Sequence, residues 1–177
     1  MKNIGILGAG AWGTAIAQVL AKNGNEVVLW AMEEAVVDGI NNKNENTLFL
    51  KGIKLDKNIS ASQDIEEVAK DKDFLILASP SLYLTSTIKK IAHLENLQDG
   101  STCIGVLTKG FIPSDSGPKL ILETLEAILP EVYQKSLVYI SGPSHAEEVA
   151  TGKLTGLIAA SESPKNSIRF RELLKSE

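Results

Sequence analysis

The stretch GILGAGAWGTAIAQVL, residues 5–20, decides how the rest of the chain is read. It leaves an apolar run, crosses a cluster of three glycines and enters a segment, 14–23, with the spacing of a helix. Gly8-Ala9-Gly10-Ala11-Trp12-Gly13 matches G-x-G-x-x-G. In that pattern Gly8 permits the tight turn out of a strand. Gly10 lets the backbone approach a pyrophosphate, and Gly13 lets the helix lie close on the strand. The N–H groups at the helix N-terminus then face an anion, reinforced by the helix dipole. The pattern alone is weak. Here it follows the strand Asn3–Leu7 and leads to a second, Glu26–Trp30, which is the context a dinucleotide site requires. A glycine turn with a packing role only is the competing reading. Trp12 is read two ways, as a cover over cofactor phosphates or as packing on a neighbouring loop.

Outward from this turn, apolar runs alternate with helical segments. Residues 74–78, 102–107, 137–141 and 157–160 read as strands with few polar interruptions, as in a parallel sheet covered on both faces. Helices are expected over 14–23, ended by Gly24; over 64–70, opened by an Asp64-x-x-Glu67 capping box; over 82–93; and over 119–129, between Pro118 and Pro130. Ser163-Pro164 opens a last one. The stretch 41–60 is polar and Asn/Lys-rich and reads as a long surface connection, with Leu48-Phe49-Leu50 as a small anchor. The alternation predicts a doubly wound, mainly parallel, three-layer α/β/α fold of the Rossmann type, with its ligand at the carboxyl ends of the strands.

With 177 residues the chain suffices for one well-buried dinucleotide-binding domain over 1–177. A net charge of −4 argues against nucleic acid as the main partner. No apolar run approaches the roughly 18–20 residues needed to span a bilayer, and Met1–Ile4 passes straight into a strand, leaving no room for a cleavable signal. A cytoplasmic protein is expected. The single cysteine, Cys103, reads as an inert core thiol, and two histidines, His93 and His145, are too few for a His-rich metal site; no metal is expected.

Cofactor choice depends on the end of the second strand. Trp30-Ala31-Met32-Glu33-Glu34 offers neither a clean ribose-binding acid nor an arginine; the missing arginine and the two glutamates lean towards NAD over NADP.

Two later stretches resist explanation as packing. GVLTKG, residues 105–110, puts Lys109 just past a strand, where its positive charge suits a phosphate or a polarised carbonyl oxygen; a solvated loop lysine is the plain alternative. SGPSHAEEV, residues 141–149, again joins a strand to a helix, with Gly142 and Pro143 shaping the backbone and Ser144 as N-cap or substrate contact. His145 reads as a helix first-turn residue rather than a catalytic acid. LILASPS, residues 75–81, lies beside the cofactor in such a fold, and Ser79 or Ser81 alternatively caps the next helix.

Taken together, GAGAWGTA, residues 46–52, ASPS, LTKG and SGPSHAEEV resemble, in that order, the N-terminal half of bacterial NAD(P)-dependent glycerol-3-phosphate dehydrogenases. The resemblance implies an oxidoreductase that interconverts dihydroxyacetone phosphate and sn-glycerol 3-phosphate for phospholipid synthesis. It implies that Ala11, Trp12 and Ala146 lie on the cofactor together with Gly8, Gly10 and Gly13. It puts Lys109 where cofactor and substrate meet, as the catalytic residue, and Gly142 and Ser144 beside the substrate. Members often carry a basic residue near Met32 that meets a 2′-phosphate; Met32 itself is neutral. His145 stands where the family usually has Phe, so no role transfers to it. Family enzymes continue into a helical domain that supplies a second lysine as proton donor and an Arg–Asn pair. This chain stops at Glu177, so a fragment of a longer enzyme is expected, with a homodimer of the full-length protein one assembly open to it. Two alternatives stay open: another Rossmann β-hydroxyacid dehydrogenase, and a non-catalytic NAD-binding or interaction module.

Overall fold

The computed structural model describes residues 1–115, 117–142 and 144–175. The first strand, β1 (Asn3–Leu7), is followed by α1 (Ala11–Lys22), β2 (Glu26–Trp30) and α2 (Glu34–Lys43). A two-stranded antiparallel hairpin, β3 (Glu45–Asn46) with β4 (Leu50–Lys54), leads into β5 (Ile59–Ser62). Then come α3 (Ile65–Ala69), β6 (Phe74–Leu77), α4 (Ser81–Ile91), α5 (Glu95–Gln98), β7 (Cys103–Val106) and α6 (Ile121–Glu126). A 3-10 turn over Glu131–Tyr133 precedes β8 (Val138–Ser141), α7 (Ala146–Ala150), β9 (Ile158–Ala160) and α8 (Pro164–Leu174).

The main sheet has the order β5-β2-β1-β6-β7-β8-β9, parallel except for β9. Strand alternation sorts the core into two layers. Ile4 and Ile6 of β1, with Phe74 and Ile76 of β6, face α1, α2 and α8; Leu7, Leu75, Leu77, Ile104 and Val106 face α3, α4 and α6. Progression runs outward in opposite directions from β1 and β6, so the switch point lies between the ends of these two strands, where Leu7 pairs with Leu77. The expected three-layer Rossmann architecture is the observed one.

The six expected strands agree with the observed ones to within one residue at each end. Gly24, at φ +82°, follows α1 in the left-handed conformation expected of it, and Ser163 Oγ accepts from Asn166 N (3.4 Å) at the start of α8. Other expectations need correction. Residues 41–60 are not a bare surface connection. They finish α2, form the hairpin and begin β5, an edge strand of the main sheet. Of the expected anchor, Leu50 is buried while Leu48 and Phe49 are exposed. Two buried amides fasten this segment to α1. Gln18 bonds both to Lys54 O (3.2 Å) and to Asp56 N (2.8 Å), and Asn46 reaches the glycine turn. The capping box at α3 is half made. Asp64 Oδ1 accepts from Glu66 N and Glu67 N, but the Glu67 carboxylate takes the Ser62 hydroxyl instead of the Asp64 amide. Residue 119 does not begin α6: Lys119 is held in an antiparallel bridge with Ile112, which delays the helix to Ile121.

Candidate functional site at the carboxyl edge of the sheet

The glycine turn sits at the switch point, and its three glycines are used differently. Gly8 has φ +128°, and a Cβ there would fall 2.7 Å from the Ala78 carbonyl carbon and 2.8 Å from Ser79 N. The turns after β1 and β6 are therefore in backbone contact. A Cβ on Gly13 would lie 2.0 Å from Gly8 O, so only glycine lets α1 start this close to the strand. A Cβ on Gly10 would meet nothing within 4 Å. Packing does not require glycine at that position, and the space over it is open to a ligand. Thr14 N to Gly10 O (3.0 Å) is the first bond of α1, which leaves the N–H groups of Ala11, Trp12 and Gly13 ahead of the ladder. Gly10, the N-cap residue, offers no side chain to cover them. This turn fits the pyrophosphate of a dinucleotide.

Two buried hydroxyls tie the neighbouring turns together. Ser79 Oγ donates to Leu7 O (2.8 Å), and Thr108 Oγ1 donates to Ser79 O (2.7 Å). Neither Ser79 nor Ser81 caps α4, whose N-cap is Pro80. Ser79 instead fixes the floor of the site. Lys109 follows Thr108 directly and is exposed; its ammonium lies 5.8 Å from the centre of the Trp12 ring. The lysine thus stands over the first turn of α1. Trp12 is half-buried and packs against the core layer that contains α1, while its Nε1 is buried without a hydrogen-bond partner among the described residues.

At the next turn, α7 packs on α1, which brings Ala146 at the start of α7 to the same side of the sheet as the glycine turn. Gly142 is a packing glycine: a Cβ there would lie 2.4 Å from Gly156 O. Ser144 does not cap α7. Its Oγ makes a long contact with Gly142 O (3.4 Å), and the N-cap is His145, exposed and without a side-chain cap bond. His145 thus precedes the first turn rather than forming part of it. Pro143 lies outside the described residues.

Past β2, Met32 is exposed and its carbonyl accepts from Gln63 Nε2 (2.7 Å), while Trp30 Nε1 donates to Gln63 O (3.0 Å). Glu33 and Glu34 start α2 with exposed side chains. Cys103 is buried in β7, and desolvation holds its thiol above the ordinary value. That environment keeps it protonated and unreactive. Among the described residues no His, Cys, Asp or Glu cluster is placed to hold a metal, and no helix is long and apolar enough to cross a membrane.

Sequence reasoning singled out the glycines and Lys109, which the structure brings to this edge, but not Asn46, Thr14 or Thr108; of its two readings of Ser79 the structure excludes the helix cap. The signal for Asn46 lay in its segment, already part of the motif order, but not in its side chain.

Three comparisons bear on this site. The family described as NAD-dependent glycerol-3-phosphate dehydrogenase N-terminus matches residues 3–167. The NAD(P)+ glycerol-3-phosphate dehydrogenase of Treponema denticola is 53% identical over 179 residues, covering 98% of this chain and 50% of that protein. Its counterpart in Bacillus velezensis is 37% identical over 177 residues, covering all of this chain and 50% of its own length. A crystal structure of glycerol-3-phosphate dehydrogenase from Coxiella burnetii superposes with a TM-score of 0.86 at 30% identity, over 99% of this chain and 51% of that one. The chain spans about half the length of the curated relatives it matches. By sequence and by fold, it belongs to the NAD-dependent glycerol-3-phosphate dehydrogenase family, whose N-terminal domain it represents.

Proposed function

We propose that this chain is the cofactor-binding half of an NAD(P)-dependent glycerol-3-phosphate dehydrogenase that interconverts dihydroxyacetone phosphate and sn-glycerol 3-phosphate. The observation that carries the reading is the position of Lys109, one residue past Thr108 at the switch point, with its ammonium over the Trp12 ring. A bound reduced nicotinamide supplies the hydride. The chain's residues hold and orient. Gly8, Gly10, Ala11, Trp12 and Gly13 receive the pyrophosphate, with Ala146 alongside, and the Met32 segment meets the adenosine ribose. Lys109 steadies the negative charge that develops on the substrate oxygen, in a setting with Gly142 and Ser144 nearby. Proton delivery falls to groups outside these 177 residues. The absence of a basic residue at 30–34 favours NAD over NADP. A cytoplasmic enzyme working as a homodimer is part of the same proposal.

Titrating NADH and NADPH into the 177-residue chain, followed by tryptophan fluorescence, tests the cofactor half. NADH is expected to bind more tightly, and a strong NADPH preference would refute the lean towards NAD. In the protein carrying both halves, Lys109→Ala is expected to lower kcat/KM for dihydroxyacetone phosphate by about 10²–10³, the usual loss for a donor that stabilises developing charge. An unchanged rate would make the chain a cofactor-binding module. A panel including β-hydroxyacids separates this enzyme from other Rossmann dehydrogenases.

A further inference from the structure

Asn46 lies on β3, outside the glycine turn, and is fully buried. Its Nδ2 donates to Ala9 O (2.8 Å) and to Thr14 Oγ1 (2.9 Å), while Thr14 Oγ1 itself donates to Ala9 O (3.2 Å). On its other side, Asn46 Oδ1 accepts from Phe49 N (3.1 Å), so the turn of the hairpin fixes the amide's orientation. Both amide protons are thus used on the glycine turn. A carbonyl deep in that turn receives two side-chain donors, one of them from a separate element.

Ala9 C=O and Gly10 N–H belong to one trans peptide plane and point in opposite directions. Holding the carbonyl inward turns the Gly10 N–H the other way, out of the turn, and the space beside the Gly10 Cα is open, since an added Cβ would meet nothing within 4 Å. Among the described residues that N–H has no acceptor. We infer that Asn46 is a positioning residue for cofactor binding, acting through the Ala9–Gly10 peptide to aim a backbone N–H at the dinucleotide pyrophosphate, with Thr14 as its second anchor. The inference rests on the dinucleotide reading of the turn. It gives the hairpin a function in the site.

The test uses the 177-residue chain, with NADH and ADP-ribose as probes and the melting midpoint as a control. Asn46→Ala is expected to weaken both probes at least tenfold. Asn46→Asp keeps the size but at neutral pH presents a carboxylate to the Ala9 carbonyl. It is expected to bind worst near pH 8 and to regain ADP-ribose affinity towards pH 5.5, as the protonated acid becomes a donor. Because protonation also relieves a buried charge, the melting midpoint is taken at both pH values: recovery of affinity in protein folded at both is the expected outcome, and recovery that only tracks refolding overturns the assignment. Should either variant fail to fold, Thr14→Val removes the second anchor at constant shape and is expected to cost about threefold in affinity. Wild-type binding matched within twofold by the folded variants overturns the assignment of Asn46. No binding by the wild type overturns the dinucleotide reading, and this inference with it.

Discussion

At the residue scale, the second and third glycines of the turn separate ligand from packing. Gly10 faces open space, so Gly10→Ala is expected to leave the melting midpoint within about 1 °C of wild type. Its methyl stands where the pyrophosphate approaches, and NADH affinity is expected to fall at least tenfold, about 1.4 kcal/mol. Gly13→Ala drives a methyl to 2.0 Å from a backbone oxygen that cannot swing aside. It is expected to cost about 3 kcal/mol of stability, at the upper end for overpacking, and to lower the midpoint by roughly 6–12 °C for a chain of this size. Calorimetry with cofactor titration checks both; equal effects of the two substitutions would refute the division. The glycines were legible because their spacing is local. The partners of Asn46 and Ser79 were not, because they lie 37 and 72 residues away, and a lone amide or hydroxyl does not announce which turn it will meet.

At the element scale, α8 is seated on the sheet by Phe170, with Leu173 buried beside it. Phe170 is fully buried, edge-on to Phe74 at 5.2 Å between ring centres, and lies over Gly105 of β7, where a Cβ would come 2.6 Å from the ring. Gly105→Ala is expected to destabilise by about 1–3 kcal/mol, and Phe170→Ala by about 3–5 kcal/mol. The double variant is expected to fall short of the sum by more than about 0.5 kcal/mol, since the new methyl then enters vacated space. Urea titration of the four proteins measures this, and simple additivity would show that the ring does not sit over the glycine. Most elements were legible because the parallel strands are apolar on both faces. β5 was not. It is one of the sheet's two edge strands, with Ile59 and Ala61 inward and serines at 60 and 62, and four residues half made of serine read as loop. The hairpin was hidden for a related reason. Its hold on α1 comes from buried amides rather than from an apolar stripe.

At the scale of the whole molecule, the two core layers share one sheet, and each contains one of the two tryptophans. Trp12 packs in the layer with α1 and α8; Trp30 packs in the layer with α3, α4 and α6. A single sheet whose alternate residues feed both layers should unfold as a unit. Trp12→Phe and Trp30→Phe, each leaving one reporter, are expected to give urea midpoints by fluorescence that coincide with the circular dichroism midpoint of the same variant. Separate midpoints would mean that the layers melt independently. The bonds from Thr108 to Ser79 and from Ser79 to Leu7 carry a further consequence. They run across the sheet under the site, lashing the exits of β7, β6 and β1 into one plate. Any tilt of the lysine's loop must carry the glycine turn with it. In the function proposed above, the spacing between what Lys109 and the Gly10 turn would each hold is set when the sheet folds.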